Sequence, residues 1–526
     1  MKRRDFLRNT MPAATLLPAI INGYSVKAFG PSPIMNALMN LTTDTDHVLV
    51  IVQLSGGNDG LNMLIPVEYY DGYFNARSNV AIPKGKVLPL FNNIKTGLHP
   101  AMTGLQQMYA DGKVSFIQSV GYPNPNFSHF RATDIWMTGS DSDQILTTGW
   151  AGRYLNSEYP NFPQGYPNAT MPDPLGIQIG SISSLTFQGP SMNMAMSITN
   201  PTSFYNLING VADPAPGTPA GKELTYIRLI AQQTQAYSVS IKGAANNVTQ
   251  QAIYPTDNPL ADQLKIVARL VKGGLKTRVY MVSFGGFDNH SLQVNGTDTT
   301  TGAHANLLKT VSDAIKAFQD DLAFLNIEDR VIGMTFSEFG RRIKSNSSLG
   351  TDHGAAAPMI LFGANVQSGV LGNNPLMPGN VSVNDNIPHQ YDFRSVYASI
   401  LQDWFCSNPI ELQTVLLKNF QSLPVIKSSA CAGINDLNQQ AGEKLIFNYP
   451  NPFVADTTIT FKTAGGHTLV QVIDTVGRVI RNEVDQDYAA GTYSITFNGR
   501  GLPTGVYYLR LQNGSVQQVK PMLKAR

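Results

Sequence analysis

Acidic and imidazole side chains lie beside four apolar runs of this chain, where they could bind a metal ion. Acidic residues follow the runs "HVLVIVQL", "RVYMVSF" and "RVIGMTF", and an Asp-His pair precedes the run "PMILFG". Side chains of these two kinds are typical ligands of Zn, Fe or Mn. A metal held by them would polarise an ester oxygen and lower the pKa of a hydroxyl nucleophile or of water. The residues concerned are Asp59, Asp288, His290, Glu338, Asp352 and His353.

Other polar residues near these runs have two interpretations each. Asp59 lies in a Gly-rich turn, where an aspartate can serve only to form the turn, but its place directly after a buried strand favours a functional role. His99 precedes Pro100 at an expected helix start and is either a cap or a site residue. Arg341, in the segment "GRR", and Arg131 either hold an anionic substrate or lie on the solvated surface.

The elements that would position these residues can be predicted from apolar patterning. The runs are nearly continuous and of strand length, as buried parallel strands are. Helical patterns lie between them, for example over residues 304–325. The alternation predicts a layered α/β fold with a mainly parallel sheet over residues 45–425. Residues 141–218 interrupt it and are expected to form a loop-rich insertion or cap. Ligands of such sheets bind at the carboxyl ends of the strands.

Bulk properties exclude several classes of protein. The 526 residues predict two or three domains. A formal net charge of +2, with no basic block beyond the first residues, leaves no electrostatic footprint for nucleic acid. No run of apolar residues is long enough to predict a transmembrane helix. The two cysteines, Cys406 and Cys431, either pair in an oxidising compartment or are unrelated thiols, and they are too few for a cysteine-ligated zinc site.

Both ends of the chain indicate export. The start, "MKRRDFL", followed by a mildly apolar stretch, resembles a twin-arginine signal peptide over residues 1–28. It implies an inner-membrane export machinery as partner, passage through the periplasm, and often a metal or cofactor already in place. The alternative is a basic amphipathic helix that belongs to the fold.

The character of the sequence changes near residue 445. Short segments of alternating polarity, separated by Gly, Asn and Asp, predict a small antiparallel β-sandwich over residues 444–526. The order "NPF", "DTVGR" and "LPTGVYY" resembles the type A sorting domain of the type IX secretion system. The resemblance implies that machinery as a partner, and secretion or attachment to the cell surface. A carbohydrate-binding sandwich is the alternative. Residues 427–443, small and polar, are expected to be a linker.

The central region also resembles a known family. The segments "VQLSGGNDGLN", "NFSHFRATDIWMTG", "VSFGGFDNH", "FSEFGRR" and "GTDHGAAAPMILFGA" together are similar to the family called domain of unknown function fifteen-oh-one. That family is exported by the twin-arginine route and is allied to the alkaline phosphatase and sulfatase superfamily. The resemblance implies an alkaline-phosphatase-like fold and one or two divalent metals, Zn or another, but it fixes no substrate.

The superfamily pattern implies roles for individual residues. Ser128 matches the nucleophile at the start of a helix, although it is equally a candidate helix N-cap. Asp288, His290 and His353 match the ligands of one metal. Asp59, Ser128 and Glu338 match ligands of a second, but Phe339 stands where a histidine is expected. The second metal then lacks an imidazole ligand unless His129 or Asp352 replaces it.

A second alignment reads Asp352 and His353 as the Asp-His pair of sulfatases, with His389 as the last histidine. We prefer the first alignment, because "VIGMTF" is the strand that should precede the pair. No cysteine lies near Ser128, so the formylglycine nucleophile of sulfatases is absent. The sequence therefore predicts a metal-dependent hydrolase of phosphate or sulfate esters. One alternative, favoured by Phe339, is a non-catalytic surface protein that binds a glycan, a sulfated polymer or a partner. Another is a structural or assembly factor with no small ligand.

Overall fold

The computed structural model describes residues 19–21, 24–26, 45–181, 183–199, 236–431, 446–474, 478–514 and 516–525. They belong to two compact units, one containing Asp46–His389 and the other Gln390–Arg526. Most of the predicted signal peptide, residues 1–28, and residues 432–443 of the predicted linker lie outside the described residues. Those two assignments, and the predicted domain limits, stay predictions. Among the described residues no helix is long and apolar enough to cross a membrane.

The strands are numbered in chain order. They are β1 (Ala19–Ile21), β2 (Tyr24–Val26), β3 (Val48–Ser55), β4 (Leu64–Ile65), β5 (Leu88–Leu90), β6 (Asn93–Leu98), β7 (Val114–Gly121), β8 (Gly176–Ile179), β9 (Ala195–Ile198), β10 (Val279–Gly285), β11 (Val331–Phe336), β12 (Arg341–Ser345), β13 (Thr351–His353), β14 (Ala357–Gly363), β15 (Gly369–Leu371), β16 (Tyr391–Asp392), β17 (Ile446–Tyr449), β18 (Asp456–Thr463), β19 (Gly466–Ile473), β20 (Val479–Tyr488), β21 (Gly491–Asn498), β22 (Gly505–Asn513) and β23 (Val516–Lys524).

The helices follow the same convention. They are α1 (Gly60–Met63), α2 (Tyr70–Arg77), α3 (Thr103–Ala110), α4 (His129–Thr138), α5 (Trp150–Glu158), α6 (236–246), α7 (Pro259–Lys272), α8 (Ala303–Phe324), α9 (Phe393–Ser399), which continues as a π-helix over Ile400–Trp404, and α10 (Pro409–Leu416).

A mixed, mostly parallel sheet forms the centre of the first unit. Its strands lie in the order β15-β7-β14-β11-β3-β10-β8-β9. Strand β3 is fully buried over most of its length and pairs in parallel with β10 on one side and β11 on the other. Apolar faces of α7 and α8 contribute to the same buried core as β3. The layered α/β fold with a mainly parallel sheet is thus confirmed.

Strand β14 runs against its neighbours. It is antiparallel to both β11 and β7. The start of β14 therefore lies at the same edge of the sheet as the ends of β3, β10 and β11. For this reason the Asp-His pair that precedes β14 lies beside the acidic residues that follow the other strands. In an all-parallel sheet the pair would lie at the opposite edge.

The described part of residues 141–218 differs from the expected loop-rich insertion or cap. It contributes helix α5 and strands β8 and β9. Strand β8 pairs in parallel with β10, and β9 pairs in parallel with β8. This stretch therefore extends the central sheet, although its Pro- and Asn-rich composition hides two strands of only four residues each.

The second unit contains the predicted antiparallel sandwich. One sheet has the order β17-β18-β21 and the other the order β20-β19-β22-β23. Alternating side chains of both sheets form one buried core, which includes Phe461, Phe497 and Leu509. In the same unit Cys406 and Cys431 form a disulfide with Cα atoms 5.9 Å apart, so the paired alternative holds in this structure.

Candidate metal centre

Four loops at the carboxyl edge of the central sheet bring the predicted residues together. The loop after β10 carries Asp288 and His290, and the turn after β11 carries Glu338. Strands β12 and β13 then form a hairpin in which Arg341 pairs with His353, so the chain folds His353 back towards Glu338. The fourth contribution comes from His129, the first residue of α4.

Three histidines use their Nδ1 atoms in the same way. The Nδ1 atom of His129 lies 2.7 Å from a carboxylate oxygen of Glu338, and that of His290 lies 2.9 Å from Asp352. The Nδ1 atom of His353 lies 2.8 Å from the backbone oxygen of Phe127. A backbone oxygen and an ionised carboxylate only accept hydrogen bonds, so each Nδ1 must donate. In a neutral imidazole each Nε2 is then an acceptor.

The three Nε2 atoms converge on one carboxylate. They lie 3.5 Å from Asp288 for His129, 3.1 Å for His290 and 3.4 Å for His353. The Nε2 atoms of His290 and His353 are only 2.9 Å apart. Ligand atoms of His129, Asp288 and His353 all lie within 4.8 Å of one another. We call the set of His129, Asp288, His290 and His353 the histidine cluster.

The protonation states of Asp288 and His353 favour acceptors at these two members of the histidine cluster. Partial burial raises the pKa of Asp288, but the hydrogen bond and charge of Arg341 outweigh it and hold that pKa below its usual value. Burial, followed by the charge of Arg341, lowers the pKa of His353, although its bonds to Phe127 and Asp288 oppose this. At neutral pH Asp288 is therefore ionised and His353 is neutral.

A divalent metal fits this arrangement. Nitrogen and oxygen lone pairs at such distances repel one another unless a cation or extra protons lie between them, and the lowered pKa of His353 disfavours extra protons. Ligating histidines almost always donate their second nitrogen to a carboxylate or a backbone oxygen, as all three do here. Three imidazoles and a carboxylate suit Zn, and imidazole also suits Fe.

Glu338 supplies a second indication of a cation. Its side chain is 1% exposed. One carboxylate oxygen contacts His129 and accepts a hydrogen bond from the backbone N–H of Gly56 at 2.9 Å. The other oxygen is buried and finds no hydrogen-bond partner in the part of the chain that the structure describes. A buried, unsatisfied carboxylate oxygen is costly unless a cation or donor reaches it, so Glu338 is suited to hold a cation beside the histidine cluster.

The ring of Phe339 packs against two imidazole rings of the histidine cluster. Its buried ring lies 4.8 Å from the ring of His129 and 4.5 Å from that of His353, centroid to centroid. Gly57, with φ +75°, allows this contact, because a Cβ atom there would lie 2.3 Å from the Phe339 ring. Phe339, which stands where a histidine was expected, therefore orients the imidazoles of His129 and His353. His129 supplies the imidazole beside Glu338.

Arg341 belongs to the scaffold of the site. Its guanidinium is buried and donates to the backbone oxygens of Gly57 and Thr351, at 2.6 and 2.7 Å. It also donates to Asp288 at 2.7 Å. Arg341 thus ties the loops after β3 and β10 to the hairpin and fixes the orientation of Asp288. This geometry gives it no free face for the anionic substrate considered from the sequence.

Ser128 lies at the edge of the histidine cluster. It is the N-cap residue of α4 and is exposed, but its side chain makes no capping hydrogen bond. It is bracketed by Phe127, whose carbonyl accepts from His353, and by His129. Arg342 lies over the ring of Phe127, 5.2 Å from its centroid. The exposed hydroxyl of Ser128, the N-terminus of α4 and the guanidinium of Arg342 therefore lie close together, as recognition of an anionic ester requires.

Asp59 contacts a different set of residues. Its carboxylate accepts two hydrogen bonds of 2.7 Å from Arg77 and one of 2.6 Å from Gln293. Asp59 is 2% exposed and Arg77 is not exposed at all. Burial raises the pKa of Asp59, but Arg77 outweighs it and lowers the pKa. We therefore leave Asp59 out of the ligands proposed below.

The remaining candidates are not among the ligands proposed below. His99 is buried, and its Nδ1 accepts from the N–H of Ala101. Arg131 donates to backbone oxygens of Asp141 and Ser142 and so holds that loop. Asp352 contacts the Nδ1 atom of His290 and not the point on which the Nε2 atoms converge. His389 lines a separate cavity.

Sequence reasoning underrated two features. His129 was expected only as a possible replacement, and the signal for it is the Ser-His pair at a helix start. The carbonyl of Phe127 gives no sequence signal, because any residue supplies one.

Family comparison places two segments of the chain. Residues 226–399 match the family described as "Protein of unknown function (DUF1501)". Residues 448–525 match the secretion system C-terminal sorting domain, which implies secretion to the cell surface by the type IX machinery. The resemblances of the central region and of the C-terminal segment to these two families are confirmed. No curated protein matches the chain.

Several solved structures resemble parts of the chain at low similarity. The sulfatase PsFucS1 from a Pseudoalteromonas species is 10% identical, with a TM-score of 0.32, over 89% of this chain and 88% of its own. A protein of the alkaline phosphatase superfamily from Vibrio parahaemolyticus is 10% identical, with a TM-score of 0.32, over 92% and 84%.

A third match covers only a small part of each protein. PorZ, a surface component of the type IX secretion system of Porphyromonas gingivalis, is 18% identical with a TM-score of 0.13; the match covers 19% of this chain and only 14% of PorZ. The chain is therefore similar to the DUF1501 family over residues 226–399 and to the secretion system C-terminal sorting domain over residues 448–525.

Proposed function

We propose that the first unit is a metal-dependent hydrolase of phosphate or sulfate esters that acts at the cell surface. One observation carries the proposal. Three imidazoles donate through Nδ1 to fixed acceptors and direct Nε2 towards the carboxylate of Asp288. The proposed ligands are His129, Asp288, His290 and His353, and Glu338 is the proposed contact of a second cation.

Each residue has a definite task in this scheme. When bound, the metal supplies positive charge that polarises the ester and favours an ionised nucleophile. Ser128 offers the attacking hydroxyl, which the absence of a capping bond leaves available. Arg341 keeps Asp288 ionised and oriented. The N-terminus of α4 and Arg342 attract the anionic group.

Metal analysis of the purified chain tests the ligand set. The parent is expected to hold one or two equivalents of Zn, Mn or Fe, and the His290→Ala/His353→Ala variant to lose them. His467→Ala is the matched control, because that histidine is 64% exposed and lies in the other unit. A parent without metal even after reconstitution refutes the proposal, as does a double variant that keeps its metal.

Ser128→Ala tests the nucleophile separately. Turnover of aryl phosphates and sulfates should fall by a factor of about 100 or more, while metal content stays at the parental level. Ser347→Ala removes an exposed hydroxyl from the tip of the β12–β13 hairpin and should change neither. Full activity in Ser128→Ala would assign the attack to another group.

The second candidate function is binding without turnover. It is favoured by Phe339, since a ring of hydrocarbon occupies the position expected for a second imidazole ligand. A chain that binds metal and is retained on a sulfated polysaccharide, yet hydrolyses no ester in a broad panel, would establish it.

We also propose export in two stages, by the twin-arginine route to the periplasm and then by the type IX machinery. Replacing Arg3 and Arg4 by lysine should leave the chain in the cytoplasm of its host, detected by fractionation, whereas unchanged surface display would exclude the twin-arginine route.

A further inference from the structure

A cavity of about 300 Å³ lies beside the proposed catalytic loops. Two of its walls come from the same segments that carry catalytic groups. Pro125 lies three residues before Ser128, and Ala355 lies two residues after His353. Its volume is at the lower end of the usual range for small-molecule sites, about 300–1,000 Å³. It has room for one ring-sized group next to the scissile bond, not for a length of polymer.

The lining combines apolar surfaces with a few polar groups. Tyr122, Pro125 and Pro388 offer flat apolar faces, and Asn124 and Asn386 offer amides. The side-chain oxygen of Asn386 is buried and has no hydrogen-bond partner among the described residues. A rotation of the side chain into the cavity would let this oxygen accept a hydrogen bond from a hydroxyl, and an unfilled buried acceptor is costly in the absence of a donor. No Lys, Arg, Asp or Glu of the described residues lines the cavity, so it suits a neutral group.

The floor of the cavity stays open because position 121 is a glycine. A Cβ atom at Gly121 would lie 3.1 Å from Cβ of His389 and 3.3 Å from Cβ of Ala356. At the mouth, Asn124 and Pro388 are exposed, so a ligand can enter from solvent. Space, an entrance and an unsatisfied acceptor therefore coincide at a cavity whose wall includes Pro125, three residues before Ser128.

We propose that this cavity binds the alcohol portion of the ester, and that this portion is a neutral, hydroxyl-bearing ring of monosaccharide size. The assignment rests on the proposed function for its catalytic meaning but not for the binding itself. A ring with an apolar face packs against the tyrosine and the prolines, and its hydroxyls pair with the asparagines. Such contacts distinguish this ring from an equally large hydrocarbon, because a buried acceptor discriminates against ligands that lack its donor.

Binding of uncharged probes tests the cavity without catalysis. The full chain is titrated with a panel of methyl hexopyranosides, and with cyclohexylmethanol as a hydroxyl-poor probe, by saturation-transfer NMR. At least one glycoside should bind with a Kd on the order of 1 mM. Asn386→Leu should weaken it about tenfold, the effect of a lost hydrogen bond. Pro388→Trp should abolish binding by filling the mouth, whereas Pro388→Ala, the matched backbone change, should retain it.

The outcomes separate this inference from the proposed function. Glycoside binding that is weakened in Asn386→Leu and lost in Pro388→Trp supports the cavity assignment, even if no ester is ever hydrolysed. Binding of no glycoside, or equal binding by the parent and both variants, overturns it. Hydrolysis of aryl esters with no lower KM for hexopyranose esters also overturns it, while leaving the hydrolase proposal intact. Unfolding midpoints of all variants confirm that each is folded.

Discussion

The sharpest prediction concerns Asp59, for which sequence and structure suggest different roles. As a metal ligand, Asp59 would be needed for metal content but not for folding. In the structure it forms a buried ion pair with Arg77, which is itself fully buried and also donates to the backbone oxygens of Ile343 and Arg342. Replacing Asp59 by Asn keeps the shape but leaves the guanidinium charge buried and unpaired.

The magnitude follows from the burial of both partners. Breaking a buried ion pair by removing one partner costs about 3–5 kcal/mol. At roughly 2 °C per kcal/mol, the value for larger domains, the thermal midpoint of the first unit should fall by roughly 6–10 °C. Asp320→Asn is the control, because it removes a carboxylate from an exposed pair with Lys316, and such pairs contribute about 0.3–0.5 kcal/mol.

The assay combines calorimetry with metal analysis on the same samples. Asp59→Asn should lose stability and keep its metal, whereas His290→Ala/His353→Ala should lose its metal. Asp59→Asn/Arg77→Met should recover part of the stability, because it removes both buried charges. The reasoning is refuted if Asp59→Asn loses metal as the histidine variant does while its midpoint stays close to that of the parent.

Two further predictions concern the surroundings of the site. Gly57→Ala should displace the Phe339 ring, destabilise the unit by about 1–3 kcal/mol and weaken metal binding about tenfold, as measured by chelator competition. Gly85→Ala is the control, because a Cβ atom there meets nothing within 4 Å. Equal metal affinities of the parent and Gly57→Ala would contradict the supporting role of Phe339. Burial lowers the pKa of His99 from 6.5 to about 3, so the unfolded chain binds its proton first and stability should fall as the pH drops from 6.5 towards 3. His99→Asn, which keeps an acceptor for Ala101, should flatten the pH profile of the unfolding free energy, and an unchanged profile would contradict this.

The sequence predicted the main strands because they are nearly continuous apolar runs. β3, β10, β11 and β14 all lie within a residue or two of the predicted segments. The direction of each strand in the sheet was harder to predict, because an apolar run looks the same for a parallel and an antiparallel strand. His353 reaches the site only because β14 is antiparallel, a fact that follows from the short β12–β13 hairpin and not from the run itself.

Strand-end position also failed to separate ligands from ion pairs. Asp59 and Asp288 both follow a buried strand, and both contact an arginine. Asp59 is enclosed by Arg77 from α2, which takes both of its oxygens. The carboxylate of Asp288 is 48% exposed and faces three imidazoles. The difference depends on where α2 and α4 pack, which residue spacing along the chain does not specify.

The same reasoning changes the meaning of Phe339. A missing ligand at this position suggests a decayed site if the position is considered alone. In the structure the imidazole comes instead from His129, 209 positions from its partner Glu338, and the Phe339 ring packs against it. In a site that had lost its metal during evolution, the neighbouring side chains would no longer need fixed orientations. Here each of three histidines keeps an acceptor on Nδ1 and directs Nε2 towards the same carboxylate. An arrangement this consistent, in residues from three separate loops, favours a metal site with a different ligand set over a scaffold that has lost one.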